Sequence, residues 1–155
     1  MTIETKKIEA SDLLDLSTYS KERRNIRKEV VEMKKNRRVE LGPHSTLYFE
    51  NFLTMKAQVQ EMLFIEKGGD EQLKDELEAY NPLIPQGKEI VATLMFEIDN
   101  PETRKKVLSS LGKVETKIYL GINDDLIYAM PEGDVERTDA DGKTSSVHFL
   151  HFYLN

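Results

Sequence analysis

Residues 37–66, RRVELGPHSTLYFENFLTMKAQVQEMLFIE, decide how the rest of the chain is read. Arg38–Leu41 and Thr46–Phe49 are β-prone arms on either side of Gly42-Pro43-His44-Ser45, so the stretch opens as a hairpin. Glycine allows the turn dihedrals and proline fixes φ, which holds the His44 imidazole on a stiff loop rather than a floppy one. A helix follows from Asn51 to Glu66: at about 100° per residue, Phe52, Met55, Val59, Met62 and Leu63 fall on one face as a core-facing stripe. Glu66 falls on the same stripe. There it is either a buried carboxylate needing a partner such as His44 or Glu50, or the point at which the helix leaves the core. The adjoining Lys67-Gly68-Gly69 favours the second.

On the N-terminal side, Ser11 or Asp12 can cap a short helical segment carrying Leu13, Leu14 and Leu16, and Ser17 or Ser20 a longer helix running towards Arg37. Ile26, Val30 and Met33 give that helix a narrow apolar stripe, flanked by Arg23, Arg27, Lys34 and Arg37. Residues 21–38 hold nine Lys/Arg against three Glu, whereas the rest of the chain holds 13 basic and 25 acidic residues. Such a basic helix in an acidic protein of formal charge −6 is either an ordinary solvated face or a docking surface for an acidic partner. The net charge and the lack of interleaved aromatic residues argue against nucleic acid.

On the C-terminal side, Asp70 can cap a helix with Leu73, Leu77 and Tyr80 at 3.6-residue spacing, ending at Asn81-Pro82. Tyr80–Pro85 is then a proline-stiffened connector. From Glu89 to Ile98 both alternating faces are apolar, which predicts a central strand. Asn100, Pro101 and Gly112 bracket a short helix with Val107, Leu108 and Leu111 inward. Residues 116–122 and 126–130 form a second hairpin. EGDVERTDADGK (132–143) reads as a solvated, mobile loop without the spacing of a calcium site. In the final strand, residues 146–154, period two sends His148 to one face with Leu150 and Phe152 and His151 to the other with Phe149 and Tyr153, so the two rings cannot share an ion.

The 155 residues suit a single α+β domain over 1–155: one layer of mostly antiparallel sheet packed against several helices, with an N-terminal helical segment and a short β-hairpin. Apolar runs are too short to cross a bilayer, and the N-terminus lacks the order of a secretory signal, so the expected compartment is the cytoplasm and no membrane is expected. With no cysteine, thiolate-ligated clusters, disulfides and thiol nucleophiles are excluded.

The runs KKNRRVELGPHSTLYFEN, QVQEML, LEAYNPLIPQGKEIVATLMFEI and SSVHFLHF resemble the bacterial proteins of domain-of-unknown-function family 3501 over nearly the whole chain. The resemblance implies no established activity. It implies a companion role beside rubrerythrin-like and iron–sulfur oxidoreductase systems, and it matches His44 and His148, whereas the position of His151 often carries another basic residue. Two expectations follow. One is a non-catalytic interaction or accessory protein, a homo-oligomer docking an acidic or redox partner through Arg23, Arg27, Lys34 and Arg37. The other is a metal-dependent (divalent ion) or acid/base site assembled from His44, Glu50, Glu66 and His148.

Overall fold

A computed structural model describes residues 6–132 and 145–154, and its contacts group into two compact units: Met1–Arg37 with Glu50–Gln86, and Arg38–Phe49 with Gly87–Asn155. The architecture is α+β, as expected. Most of the 132–143 loop lies outside the described residues. No described helix is long and apolar enough to cross a membrane.

The first unit is helical. After a 3-10 turn at Ala10–Asp12, helix α1 (Leu16–Lys34) begins on Asp15, whose carboxylate accepts the Thr18 amide at 2.8 Å. Ser17 and Ser20 therefore lie inside the helix: an extended residue with a free carboxylate ahead of the first turn is the better cap. Helix α2 (Phe52–Glu66) starts on Asn51, which exchanges hydrogen bonds with Thr54 as a capping box, and ends at Lys67 in the left-handed region, φ 53°. Helix α3 (Gly69–Tyr80) is capped by Gly68 without a side-chain bond, so Asp70 sits in the first turn instead, where its charge suits the helix dipole.

Because α2 packs on both α1 and α3, its burial is not confined to one stripe. Met55 and Val59 are buried as expected, but so are Thr54 and Gln60. The N-terminal segment is fastened by side-chain amides that imitate a neighbouring peptide group. Gln60 accepts from the Leu14 amide and donates to its carbonyl (2.8 and 3.0 Å), Asn81 does the same to Ile8 (2.7 and 3.1 Å), and Gln86 to Lys6 (2.7 Å both ways). Each satisfies both polar groups of a residue that no helix or sheet pairs.

The second unit is built on five strands: β1 Arg38–Leu41, β2 Ser45–Phe49, β3 Glu89–Phe96, β6 Met130–Pro131 and β7 Val147–Tyr153. They form one antiparallel sheet in the order β1-β2-β3-β7-β6. Its register pairs Leu47 with Leu94 and Leu94 with His148. Leu47, Ala92, Leu94, Phe96, Leu150 and Phe152 therefore share one face, which is the core. Helix α4 (Pro101–Ser110), capped by Asn100 through the Glu102 and Thr103 amides, adds Leu108 to it. A separate two-stranded ribbon, β4 (Tyr119–Ile122) and β5 (Asp125–Tyr128), turns at Asn123-Asp124 and lays Leu120 and Ile127 against the same cluster. Burying a side chain such as Phe152 or Leu150 is worth roughly 1.5–3 kcal/mol, so this face carries most of the unit's stability.

Candidate functional site

Three groups of chemistry-bearing side chains are built into the two units, and an exposed basic face lies on α1. In the helical unit, Glu61 of α2 is the hub of the first group. The buried Tyr19 hydroxyl donates to its Oε2 at 2.5 Å, Arg23 grips both oxygens through Nε (3.1 and 3.2 Å) and Nη2, and Arg27 Nη1 stands 3.9 Å away. Phe64 meets Tyr19 edge-on at 5.4 Å and carries the Arg23 guanidinium 4.7 Å above its ring. Arg23 and then Tyr19 hold the Glu61 carboxyl below its ordinary range. Burial and then Glu61 push the Tyr19 phenol up to about 12. An ionised carboxylate accepting from a neutral phenol and a guanidinium is a satisfied arrangement, suited to locking α1 on α2 rather than to moving protons.

In the sheet unit, His151 lies between two carboxylates: Nδ1 is 2.7 Å from Glu89 Oε2, and Nε2 contacts Glu132 Oε2. Strand pairing makes this possible. Val91 pairs with His151, which puts Glu89 two residues along the same face, and the Glu132 amide bonds to the Phe149 carbonyl, which puts Glu132 on that face from the other side. Tyr153 stacks on the ring at 5.6 Å and 6°. A neutral imidazole donates from only one nitrogen, so the two carboxylates call for either an imidazolium or a proton on one carboxyl. Both ring nitrogens face a carboxylate. The ring ties β3, β7 and the end of β6 together.

On the opposite face, His148 donates from Nε2 to the Ser145 carbonyl at 2.8 Å, since a carbonyl can only accept, and Nδ1 faces Glu115 Oε2 at 3.8 Å, beyond hydrogen-bond reach. Both residues are buried, and Phe96 meets the imidazole edge-on at 6.2 Å.

The residues expected to form a site belong to both units. His44 is half-buried on the β1–β2 turn, with its carbonyl accepting from the Glu97 amide, and His148 lies two strands away in the same sheet. Glu50 and Glu66 belong to the helical unit. Glu50 is buried and accepts from the Thr54 hydroxyl at 2.5 Å. Glu66 is exposed at the end of α2 and accepts from Gln72 at 3.1 Å. Among the described residues, no group of three or more His, Asp or Glu is placed to hold a metal. The clusters around Glu61, His151 and Glu115 carry no local signature in the sequence, since their members lie far apart along the chain. The parity of the last strand had shown which face each histidine takes, but the partners depend on strand order.

The docking residues expected on α1 divide in two. Arg23 turns towards Glu61, Arg27 stands 3.9 Å from it and stays exposed, and Lys34 and Arg37 are half-buried. The outward face is instead formed by Lys21, Arg24, Lys28 and Lys35, all exposed, with Val31 among them at 60% exposure. At about 100° per residue these five fall within an arc of roughly 80°. Lys35 pairs with Glu32 at 2.7 Å.

Over residues 7–155 the chain matches the family described as "Protein of unknown function (DUF3501)". The chain belongs to this family, the one its sequence blocks resemble. It is similar to a solved structure of a protein of unknown function from Burkholderia pseudomallei, with 39% sequence identity and a TM-score of 0.88, over 97% of this chain and 78% of that one. No curated protein matches.

Proposed function

We propose that the chain is a non-catalytic accessory protein that docks an acidic partner surface through the outer face of α1. The observation that carries this reading is the arc of Lys21, Arg24, Lys28 and Lys35 around the exposed Val31. An apolar side chain ringed by like charge combines contact area with electrostatic steering, the arrangement expected of a docking face. The opposite face of the same helix is spent on Tyr19 and Glu61, so the basic arc is not needed to hold α1 in place. A rubrerythrin-like or iron–sulfur redox protein, the neighbour implied by the sequence resemblance, is the partner class to try first.

The test is a titration of isotope-labelled protein with a Glu-rich peptide, alongside a Lys-rich control. Amide shifts should concentrate on residues 21–35, weaken between about 50 and 300 mM salt, and vanish in K21E/R24E/K28E/K35E while the circular dichroism stays unchanged. Shifts that avoid α1, or that survive the fourfold reversal, overturn the reading.

A further inference from the structure

The geometry points to self-association: the outermost strand β1 pairs antiparallel with β1 of a second copy about a two-fold axis at Val39, making one continuous sheet. This goes beyond the docking role and uses a different element.

Among the described residues strand β1 is an uncovered edge, and all four of its residues, Arg38 to Leu41, are exposed. An edge strand offers a row of backbone donors and acceptors to another strand, and proteins ordinarily blunt such edges with charge or cover them. Here both kinds of side chain alternate. Val39 pairs with Leu47 and so lies on the core face together with Leu41, the two remaining 46% and 38% exposed. The apolar face thus runs out to the rim and stops uncovered. On the other face, Arg38 lies over Tyr48, 5.7 Å from the ring, with its Nη2 3.4 Å from Glu40 Oε1.

The pattern selects one register. Along an antiparallel strand, successive residues alternate between pointing their backbone groups inward and outward, so a two-fold pairing has to centre on a residue. Centring on Arg38 or on Glu40 sets like charges against each other. Centring on Leu41 runs the pairing into the Gly42 turn. Centring on Val39 sets Val39 against its own copy on the apolar face, and Arg38 against Glu40 of the second copy, twice, on the polar face. Directly opposed pairs of this kind are mutually stabilising, and like charges in the same positions are repulsive. Four residues per strand make a small interface, so the expected dissociation constant is roughly 10–100 µM.

Sedimentation equilibrium of the full chain between about 5 and 500 µM, a range that brackets this constant, reads the association. Arg38→Glu and Glu40→Arg should each weaken it by roughly tenfold, since each sets like charges opposite, whereas R38E/E40R restores it. Mixing the two single variants should give a heterodimer, because the strand of one then carries two acidic side chains and the strand of the other two basic ones, each facing its opposite. In a chain with no cysteine of its own, Val39→Cys should oxidise to a disulfide dimer, its Cβ lying roughly 4.5–5.5 Å from its copy. Ile65→Cys, exposed elsewhere, should oxidise only slowly. The proposal is overturned by a wild-type chain that stays monomeric at the top of the concentration range, by single reversals that associate like the wild type, by a mixture that gains nothing, or by Val39→Cys dimerising no faster than Ile65→Cys.

Discussion

Replacing Glu61 tests whether the helical unit is locked by one carboxylate. Glu61→Gln keeps an acceptor for the Tyr19 hydroxyl but removes the charge that Arg23 grips. The pair is partly wet, with side-chain exposures of 19% and 31%, so the expected loss is modest, about 1–2 kcal/mol. Glu61→Leu also strands the hydroxyl of Tyr19, a residue only 1% exposed, without its acceptor. An orphaned buried donor costs a further ~1–3 kcal/mol, which makes about 3 kcal/mol in all and a fall in Tm of roughly 6–12 °C for a chain of this size. Adding Tyr19→Phe to Glu61→Leu should recover part of the loss, a coupling that urea denaturation resolves. The same hub shapes the acid limb of stability. With its carboxyl held below the ordinary 4.5 in the folded state, the stability it supplies is complete above about pH 4.5 and drains as pH falls through the lowered value, where the unfolded chain has already taken up the proton. Glu61→Gln should therefore lose less between about pH 5 and 3 than the wild type does. A leucine variant within about 0.5 kcal/mol of wild type, or a glutamine variant with an unaltered acid limb, would refute the reasoning.

Two further outcomes are expected. His151→Ala leaves Glu89 and Glu132 facing each other beside a void. It should cost about 3 kcal/mol and speed hydrogen exchange at the Glu132 amide; stability within about 0.5 kcal/mol of wild type would remove the tie from the fold. Asn100→Ala takes away the acceptor for two amides of α4 and should lower stability by about 1 kcal/mol in thermal or urea denaturation, whereas Asn100→Asp, which keeps the acceptor and adds charge at the positive helix end, should cost little.

What was legible in the chain was what local chemistry decides. Asn100-Pro101 announced a helix start because capping depends on neighbours within three residues, and the Gly42-Pro43 turn placed the first hairpin to within a residue. Period two separated His148 from His151, and Glu66 behaved as the helix-end residue its neighbours suggested. The misses share one cause. Gln60 is buried because its amide satisfies the Leu14 backbone, and periodicity does not register such a bond. The two-sided burial of α2 depends on α1 and α3 both packing against it, which a single stripe does not encode. The partners of Glu61 stand 38 and 42 residues before it. Glu132, at the head of a polar run, looked like solvent-facing loop until the β6–β7 pairing set it against His151. The grip of Arg23 on Glu61 was hidden for the same reason: a lone helix does not reveal which shoulder its neighbour occupies.

The position of β3 in the chain has a bearing on how the protein is made. Strand β2 cannot begin to acquire its second neighbour until Ala92, the partner of Phe49, has been synthesised 43 residues later, so the nascent β1–β2 hairpin waits as an open ribbon while two helices emerge after it. Closing a loop of that length costs only slightly more than closing one half as long, but pairings so distant in sequence are slow to find. Helices α2 and α3, assembled from near neighbours, should therefore be in place first, and the arrival of β3 should be the step that sets the folding rate.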